Sequence, residues 1–180
     1  MKAPSPAAAA LTIRPAQVDD AERLADIHLL TWQATYRDLL SEHYLSGLLE
    51  GVQRRAVALA AAIAHQTMSV LVVEQGGQLV AWASFGSSRD ADALPSTGEL
   101  RAINVLPQVW SQGMGRRLWQ QVREELAGAG FSQATVWVIQ GNQRGRGFYE
   151  SLGFVQEPQT AVTVMERNEP LPLIRYQVRL

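Results

Sequence analysis

The chain has no cysteine. That excludes a disulfide framework, a thiolate nucleophile and any Cys-based metal site. Its three histidines, His28, His43 and His65, stand far apart with no ligand-like spacing, so no metal is expected. Lys2 is the only lysine among 16 basic residues, and the net charge is -1. A chain so near neutrality carries no basic field for nucleic acid, and Arg144-Gly-Arg146 is too small a patch to supply one. No run approaches the roughly 20 apolar residues of a membrane helix. Residues 1–10 hold an alanine run too short for a secretory signal. The expectation is a disordered tail over 1–10, one domain over 11–180, a cytoplasmic location and no membrane partner.

What is present is a regular alternation of apolar patterns. Leu11–Arg14 reads as a strand closed by Pro15, and Asp19-Asp20 then stand where a helix cap would. Apolar residues at Ala21, Leu24, Ala25, Ile27 and Leu29 follow at helical spacing, and Trp32 and Tyr36 are four apart on one helical face. Two further helical stretches end near His65. Ser69–Glu74 and Leu79–Gly86 are strands joined by the turn Gln75-Gly-Gly-Gln78, and Glu99–Leu106 is the next strand after a polar loop. Gly113–Leu126 is a helix with Met114, Leu118, Val122 and Leu126 on one stripe. Thr135–Ile139, a short helix over Gln143–Leu152, a strand from Phe154, a turn at Asn168–Pro172 and a strand at Leu173–Val178 complete the chain. The order predicts an α/β fold: a mixed, mostly antiparallel central sheet of six to seven strands flanked by helices. The central hairpin excludes a purely parallel, doubly wound sheet.

Two stretches carry chemistry. In the first, an apolar strand ends at Pro107, and Gln112-Gly-Met-Gly-Arg-Arg117 opens a helix. Glycines let the backbone approach an anion, and the first amides of a helix point at it. A dinucleotide fingerprint needs a third glycine where Leu118 stands, and a triphosphate loop needs Gly-Lys-Ser/Thr, which is absent. Arg116 and Arg117 lie at the positive end of the helix dipole, where a cation is disfavoured by roughly 0.3–1 kcal/mol. Arg144 and Arg146 repeat the oddity behind Asn142 in the second stretch. A bound polyanion would offset both.

The second stretch is Asn142-Gln-Arg-Gly-Arg-Gly-Phe-Tyr149-Glu-Ser-Leu-Gly-Phe154. Asn142 and Tyr149 are seven apart, two helical turns, and so face the same way, with Gly145 between them allowing close approach. Together with the opening Ile13-Arg-Pro15 and with Trp32 and Tyr36, these motifs resemble the GNAT-type (GNAT superfamily) N-acetyltransferases over essentially 11–180.

The resemblance implies the GNAT acyl-CoA N-acyltransferase fold and acetyl-CoA as donor. It implies that the backbone of Ile103, Asn104 and Val105 pairs with the pantetheine arm, and that Gln112, Gly113, Met114, Gly115, Arg116 and Arg117 hold the pyrophosphate. It implies that Asn142 contacts the cofactor and Tyr149 protonates the leaving thiolate. The family's fourth strand carries a bulge, and the apolar positions Leu100, Ile103 and Val105 break alternation as a bulge would. Two departures stand out. Trp110 replaces the usual Gln or Arg before the first glycine, and Trp137 stands where the protein-N-terminal branch has a Glu. The base is therefore sought at Glu99 or in a water relay, and an amide near Asn104 would polarise the carbonyl. The acceptor is an amine, small molecule or peptide, for which Trp32 and Tyr36 are the candidate contacts. A homodimer is compatible with this reading. The alternative is a non-catalytic acyl-CoA sensor or interaction module on the same scaffold.

Overall fold

The computed structural model describes residues 11–180; the tail read over 1–10, with Lys2, lies outside the described residues. The strands are β1 (Leu11–Pro15), β2 (Ser69–Gln75), β3 (Gln78–Ser87), β4 (Thr97–Val105), β5 (Gln133–Ile139), β6 (Val155–Glu166) and β7 (Glu169–Arg179). The helices α1 (Ala21–Tyr36), α2 (Glu42–Glu50) and α3 (Val52–Ala64) follow β1, α4 (Met114–Gly128) follows β4, and α5 (Gln143–Ser151) follows β5. One sheet runs β1-β2-β3-β4-β5-β7-β6. Every neighbouring pair is antiparallel except β4 and β5. The expected mixed sheet is present with seven strands. Among the described residues, no helix is long and apolar enough to cross a membrane.

Local chemistry explains the elements. Gly76 and Gly77 both take left-handed φ, of 58° and 77°, which the two-residue turn between β2 and β3 demands. The stripe Met114, Leu118, Val122 and Leu126 is buried and packs α4 on the sheet. In β4, Ser84 faces Ala102 while Phe85 faces Leu100, so Arg101 is an extra residue. That is the bulge expected between 100 and 103. It matters because β4 pairs with β5 only over Thr97–Glu99, opposite Gln133–Thr135. Beyond the bulge β4 stays with β3, β5 stays with β7 along its whole length, and the two part.

Two expectations, the cap at Asp20 and the Asn168–Pro172 turn, are corrected. Asp20 does not cap α1: its carboxylate receives the Gln17 amide at 2.7 Å and the Arg14 guanidinium at 2.8 Å, tying β1 to the helix start. Trp32 and Tyr36 lie on the same continuous helix as Leu24. The last hairpin turns at Arg167-Asn168, both at positive φ, so Pro170 and Pro172 lie inside β7. They are tolerated because the Pro172 carbonyl points towards the β5 side, where it accepts from Gln140, just past the end of β5. Residues two apart face the same neighbour, so neither missing N–H leaves a gap in the ladder to β6.

His28 is buried in α1 with neither ring nitrogen hydrogen-bonded. Burial, with the nearby Arg55 charge adding to it and the neighbouring Asn104 side chain partly opposing it, pushes its pKa down from 6.5 to about 3. Above pH 6.5 the ring is neutral folded or unfolded. As pH falls below that value the unfolded chain takes up a proton the folded chain refuses, so stability falls by roughly 1.4 kcal/mol per pH unit, down to about pH 3. Urea midpoints between pH 7 and pH 4.5 should therefore drop more steeply in the native protein than in His28→Leu. Parallel slopes would mean that His28 is not the group responsible.

Candidate active site

The parting of β4 and β5 opens a cavity of about 460 Å³. Its walls come from three places: the C-terminal half of α1, the end of β4 with the loop into α4, and the first two turns of α5.

The β4 wall is an exposed sheet edge. Leu106 donates its amide to Val80 at 2.9 Å, which fixes the phase of the β3–β4 ladder. Asn104 and Ala102 thus turn their amides to β3, while Ile103 and Val105 turn theirs to the cavity. An incoming ligand is met by the amides of Ile103 and Val105 rather than that of Asn104. The Val105 carbonyl is already taken, by Thr31 Oγ1 at 3.2 Å and Trp110 Nε1 at 2.6 Å.

The loop into α4 is shaped by positive φ at Ser111, 62°, and Gly113, 79°. Gly113 stands at the N-cap with no side chain capping the helix, and the first turn closes only with the Arg117 amide on the Gly113 carbonyl at 3.1 Å. The amides of Met114, Gly115 and Arg116 therefore remain free at the positive end of a 15-residue helix, which is an anion site. The Arg117 amide is spent inside the helix. Neither Arg117 nor Gln112 lines the cavity; both side chains are exposed, and Gln112 donates to the Gln108 carbonyl. A side chain at Gly115 would meet the Phe148 ring at 3.1 Å, so this glycine lets α4 and α5 approach.

The arginines divide. Arg146 is a strut, donating to Tyr176 Oη at 2.9 Å and Gln156 Oε1 at 3.1 Å. Arg116 lines the cavity but reaches the C-terminal end of α5, donating to Ser151 Oγ at 3.2 Å. A carbonyl-rich helix end thus compensates it without any ligand. Arg144 is the cation that faces the cavity, its guanidinium stacked 3.9 Å from the Trp110 ring centre. Trp110, standing where the family has Gln or Arg, ties the loop to β4 and supports Arg144.

Asn142 caps α5 by accepting the Gly145 amide at 2.8 Å and donates to Tyr36 Oη at 3.1 Å. Its side chain joins α5 to α1. A Cβ at Gly145 would fall 2.6 Å from Asn142 Nδ2, so that glycine makes room for the cap rather than for a ligand. Tyr149 lies on the same wall, buried among Phe148 and Phe154, and its pKa is raised well above 10 by burial and then by Tyr36. Trp32 and Tyr36 both line the cavity, their ring centres 4.7 Å apart.

Glu99 does not line the cavity. It is the last β4 residue paired with β5, so it stands where the strands begin to part. Its buried carboxylate receives the Arg89 guanidinium at 2.6 and 3.0 Å and the Arg89 amide at 3.1 Å. Trp137 donates its indole N–H to Asp90 at 2.9 Å, in the same loop as Arg89. Thr31, Trp110 and Arg144 line the cavity although they were not among the expected site residues. Trp110, standing where the family has a polar residue, and Arg144, a cation near a helix start, each gave a signal; Thr31 gave none.

The fold agrees with known proteins. The profile of the Acetyltransferase (GNAT) family matches residues 24–154. The chain is 30% identical over 136 residues to YuaI, an uncharacterized N-acetyltransferase of Bacillus subtilis, covering 73% of each. It is 33% identical over 86 residues to MnaT, an L-amino acid N-acyltransferase of Escherichia coli, covering 48% of this chain and 49% of MnaT. In structure it is similar to YncA of Salmonella typhimurium, solved with acetyl-CoA, at a TM-score of 0.66 and 26% identity over 95% of this chain and 94% of that one. PaiA N-acetyltransferase of Thermoplasma acidophilum, solved with coenzyme A, shares the fold at a TM-score of 0.77 and 17% identity, covering 95% of this chain and 99% of that one. Parted strands, free helix amides and a matched family profile lead to one assignment: this chain belongs to the GNAT family of acetyltransferases, acyltransferases whose acetyl donor is acetyl-CoA.

Proposed function

We propose that residues 11–180 act as one N-acetyltransferase domain that moves the acetyl group of acetyl-CoA to a primary amine by direct attack. The observation that carries this reading is the continuous cavity linking the free amides of α4, the open edge of β4 and the Tyr149 phenol. The free amides of Met114, Gly115 and Arg116, with Arg144, suit the pyrophosphate. The outward amides of Ile103 and Val105, with the Ile103 carbonyl, suit the pantetheine arm. Asn142 acts as a positioning residue that holds α5, and so Tyr149, against α1.

In this reading an Ile103 or Val105 amide polarises the thioester carbonyl. The amine nitrogen forms the new bond to the carbonyl carbon, the carbon–sulfur bond breaks, Tyr149 gives its proton to the departing sulfur, and the proton then shed by the acylated nitrogen restores the phenol. The acceptor approaches past Trp32 and Tyr36. An ammonium with a pKa of about 10 must first lose a proton, a service worth about 10²–10⁴ in rate. Glu99, outside the cavity wall, receives that proton through water.

Two measurements test the scheme. Gly115→Val should weaken coenzyme A binding by roughly tenfold, about 1.4 kcal/mol, because the new side chain must displace Phe148 and the helix start. Unchanged affinity by calorimetry would remove the pyrophosphate from this loop. Glu99→Gln should lower turnover at neutral pH by about a hundredfold or more. Native-like turnover would move the base elsewhere.

A further inference from the structure

A second cavity, about 420 Å³, lies between α2, α3 and the turn of the β6–β7 hairpin, and it shares no residue with the first. Three arginines line it: Arg54 and Arg55 from the first turn of α3, and Arg167 from the hairpin turn. No carboxylate lines it, and among the described residues none of the three forms an ion pair. Arg167 is held in place, donating to the Gly47 carbonyl at 2.7 Å. A Cβ built on Gly51 would lie 2.8 Å from Arg167 Nη2 and 3.5 Å from Arg54 Nη2, so the two guanidinium groups converge above one glycine.

Such an arrangement costs free energy. Long, flexible arginines at a surface ordinarily separate into solvent or find an acid. Arg55 is partly buried, which opposes its charge; Glu166 and Tyr44 favour that charge from nearby without forming an ion pair with it, and Arg167 and Arg54 oppose it. The same cavity is reached by the start of α3, where Gly51 offers no side-chain cap and the first helical amides are free. Its floor is apolar, formed by Leu48, Leu59 and Met68. Three unpaired cations and free amides above an apolar floor are complementary to an anionic head on a short apolar stem.

We propose that this cavity binds a small organic anion, a carboxylate or phosphate whose apolar stem lies on Leu48, Leu59 and Met68. The head is bridged by Arg55 and Arg167, with Arg54 closing from the rim. The site is independent of the acetyl-transfer reading, since none of its residues belongs to that cavity.

The test is calorimetric titration of the whole protein with hexanoate and, separately, with inorganic phosphate, each with and without coenzyme A. One-site saturable binding of either probe is expected, unchanged by coenzyme A and weakened at least about tenfold in Arg55→Gln and in Arg167→Gln. The probe that binds names the head group. Circular dichroism and urea midpoints of both variants establish that they are folded. Absence of saturable binding for both probes, binding abolished by coenzyme A, or binding that survives both substitutions would each overturn the proposal.

Discussion

Tyr149→Phe should lower turnover on the order of a hundredfold while leaving the dissociation constant for acetyl-CoA nearly unchanged. The substitution removes only the hydroxyl. The remaining ring keeps its contacts with Phe148 and Phe154, at centroid separations of 5.3 and 5.6 Å, so the wall of the cavity keeps its shape. In the proposed scheme the lost function is proton donation to the departing thiolate, which would then leave as an anion. Because burial raises the Tyr149 pKa well above 10, the phenol keeps its proton throughout the working range of an enzyme. No decline in rate on the alkaline side below pH 10 should therefore arise from this residue. Stopped-time assays of product and coenzyme A at saturating substrates read the effect directly. Native-like turnover would remove Tyr149 from the acid role, and a large rise in the acetyl-CoA dissociation constant would make it a binding residue instead.

The second large effect is expected at a residue that does not line the cavity. Arg175 on β7 has a side chain only 10% exposed and gathers three carboxylates. It meets Glu157 at 2.7 Å, Asp90 at 3.1 Å and Asp92 at 2.7 and 2.9 Å. Its pKa is raised, chiefly by the hydrogen bonds to Asp92 and Glu157. Arg175→Met would fill the space but leave Asp90 and Glu157, both largely covered, without their cation. Removing one partner of such a cluster costs about 3–5 kcal/mol, a large share of the roughly 5–15 kcal/mol that stabilises a domain. The urea midpoint should fall accordingly, with Arg175→Lys intermediate because it keeps the charge and loses the fork. A midpoint within error of the native protein would mean the cluster is neutral to stability. Arg175 also anchors the loop that carries Arg89 and Asp90, so Arg175→Met should also loosen the cover over Glu99.

Much of the fold was legible because its signals are local. The glycine turn of the first hairpin, the apolar stripe of α4 and the broken alternation in β4 each depend on residues within a few positions of one another. The misread elements depend on distant ones. Asp20 looks like a cap until Arg14 and the Gln17 amide claim it. Pro170 and Pro172 look like turn residues until β5 ends just short of them and frees the strand from needing their amides.

The site divides in the same way. Gly113, with its left-handed φ, and the uncapped start of α4 are properties of one short stretch, and so the anion grip could be placed from residue order. Asn142 and Tyr149 could be placed on one face of a helix for the same reason, and both do line the cavity. What those residues touch could not. In the sequence Arg116, Arg117, Arg144 and Arg146 look alike; tertiary contacts send Arg146 to Tyr176 and Arg116 to the end of α5, leave Arg117 exposed, and stack Arg144 over Trp110 at the cavity. A side chain as long as arginine spans several ångströms from its backbone, so its partner is chosen by whichever element packs alongside.

By itself, then, the sequence determined the order of elements, the bulge, the uncapped glycine start of α4 and the family, all of which rest on periodicity and on short-range backbone chemistry. Only the tertiary structure decided that β4 and β5 part just after Glu99, which amides face the opening, that Glu99 is held by Arg89 outside the cavity, and that three arginines meet over a second one. Those features arise where strands and helices distant in sequence are brought together, and no spacing along the chain encodes such a meeting.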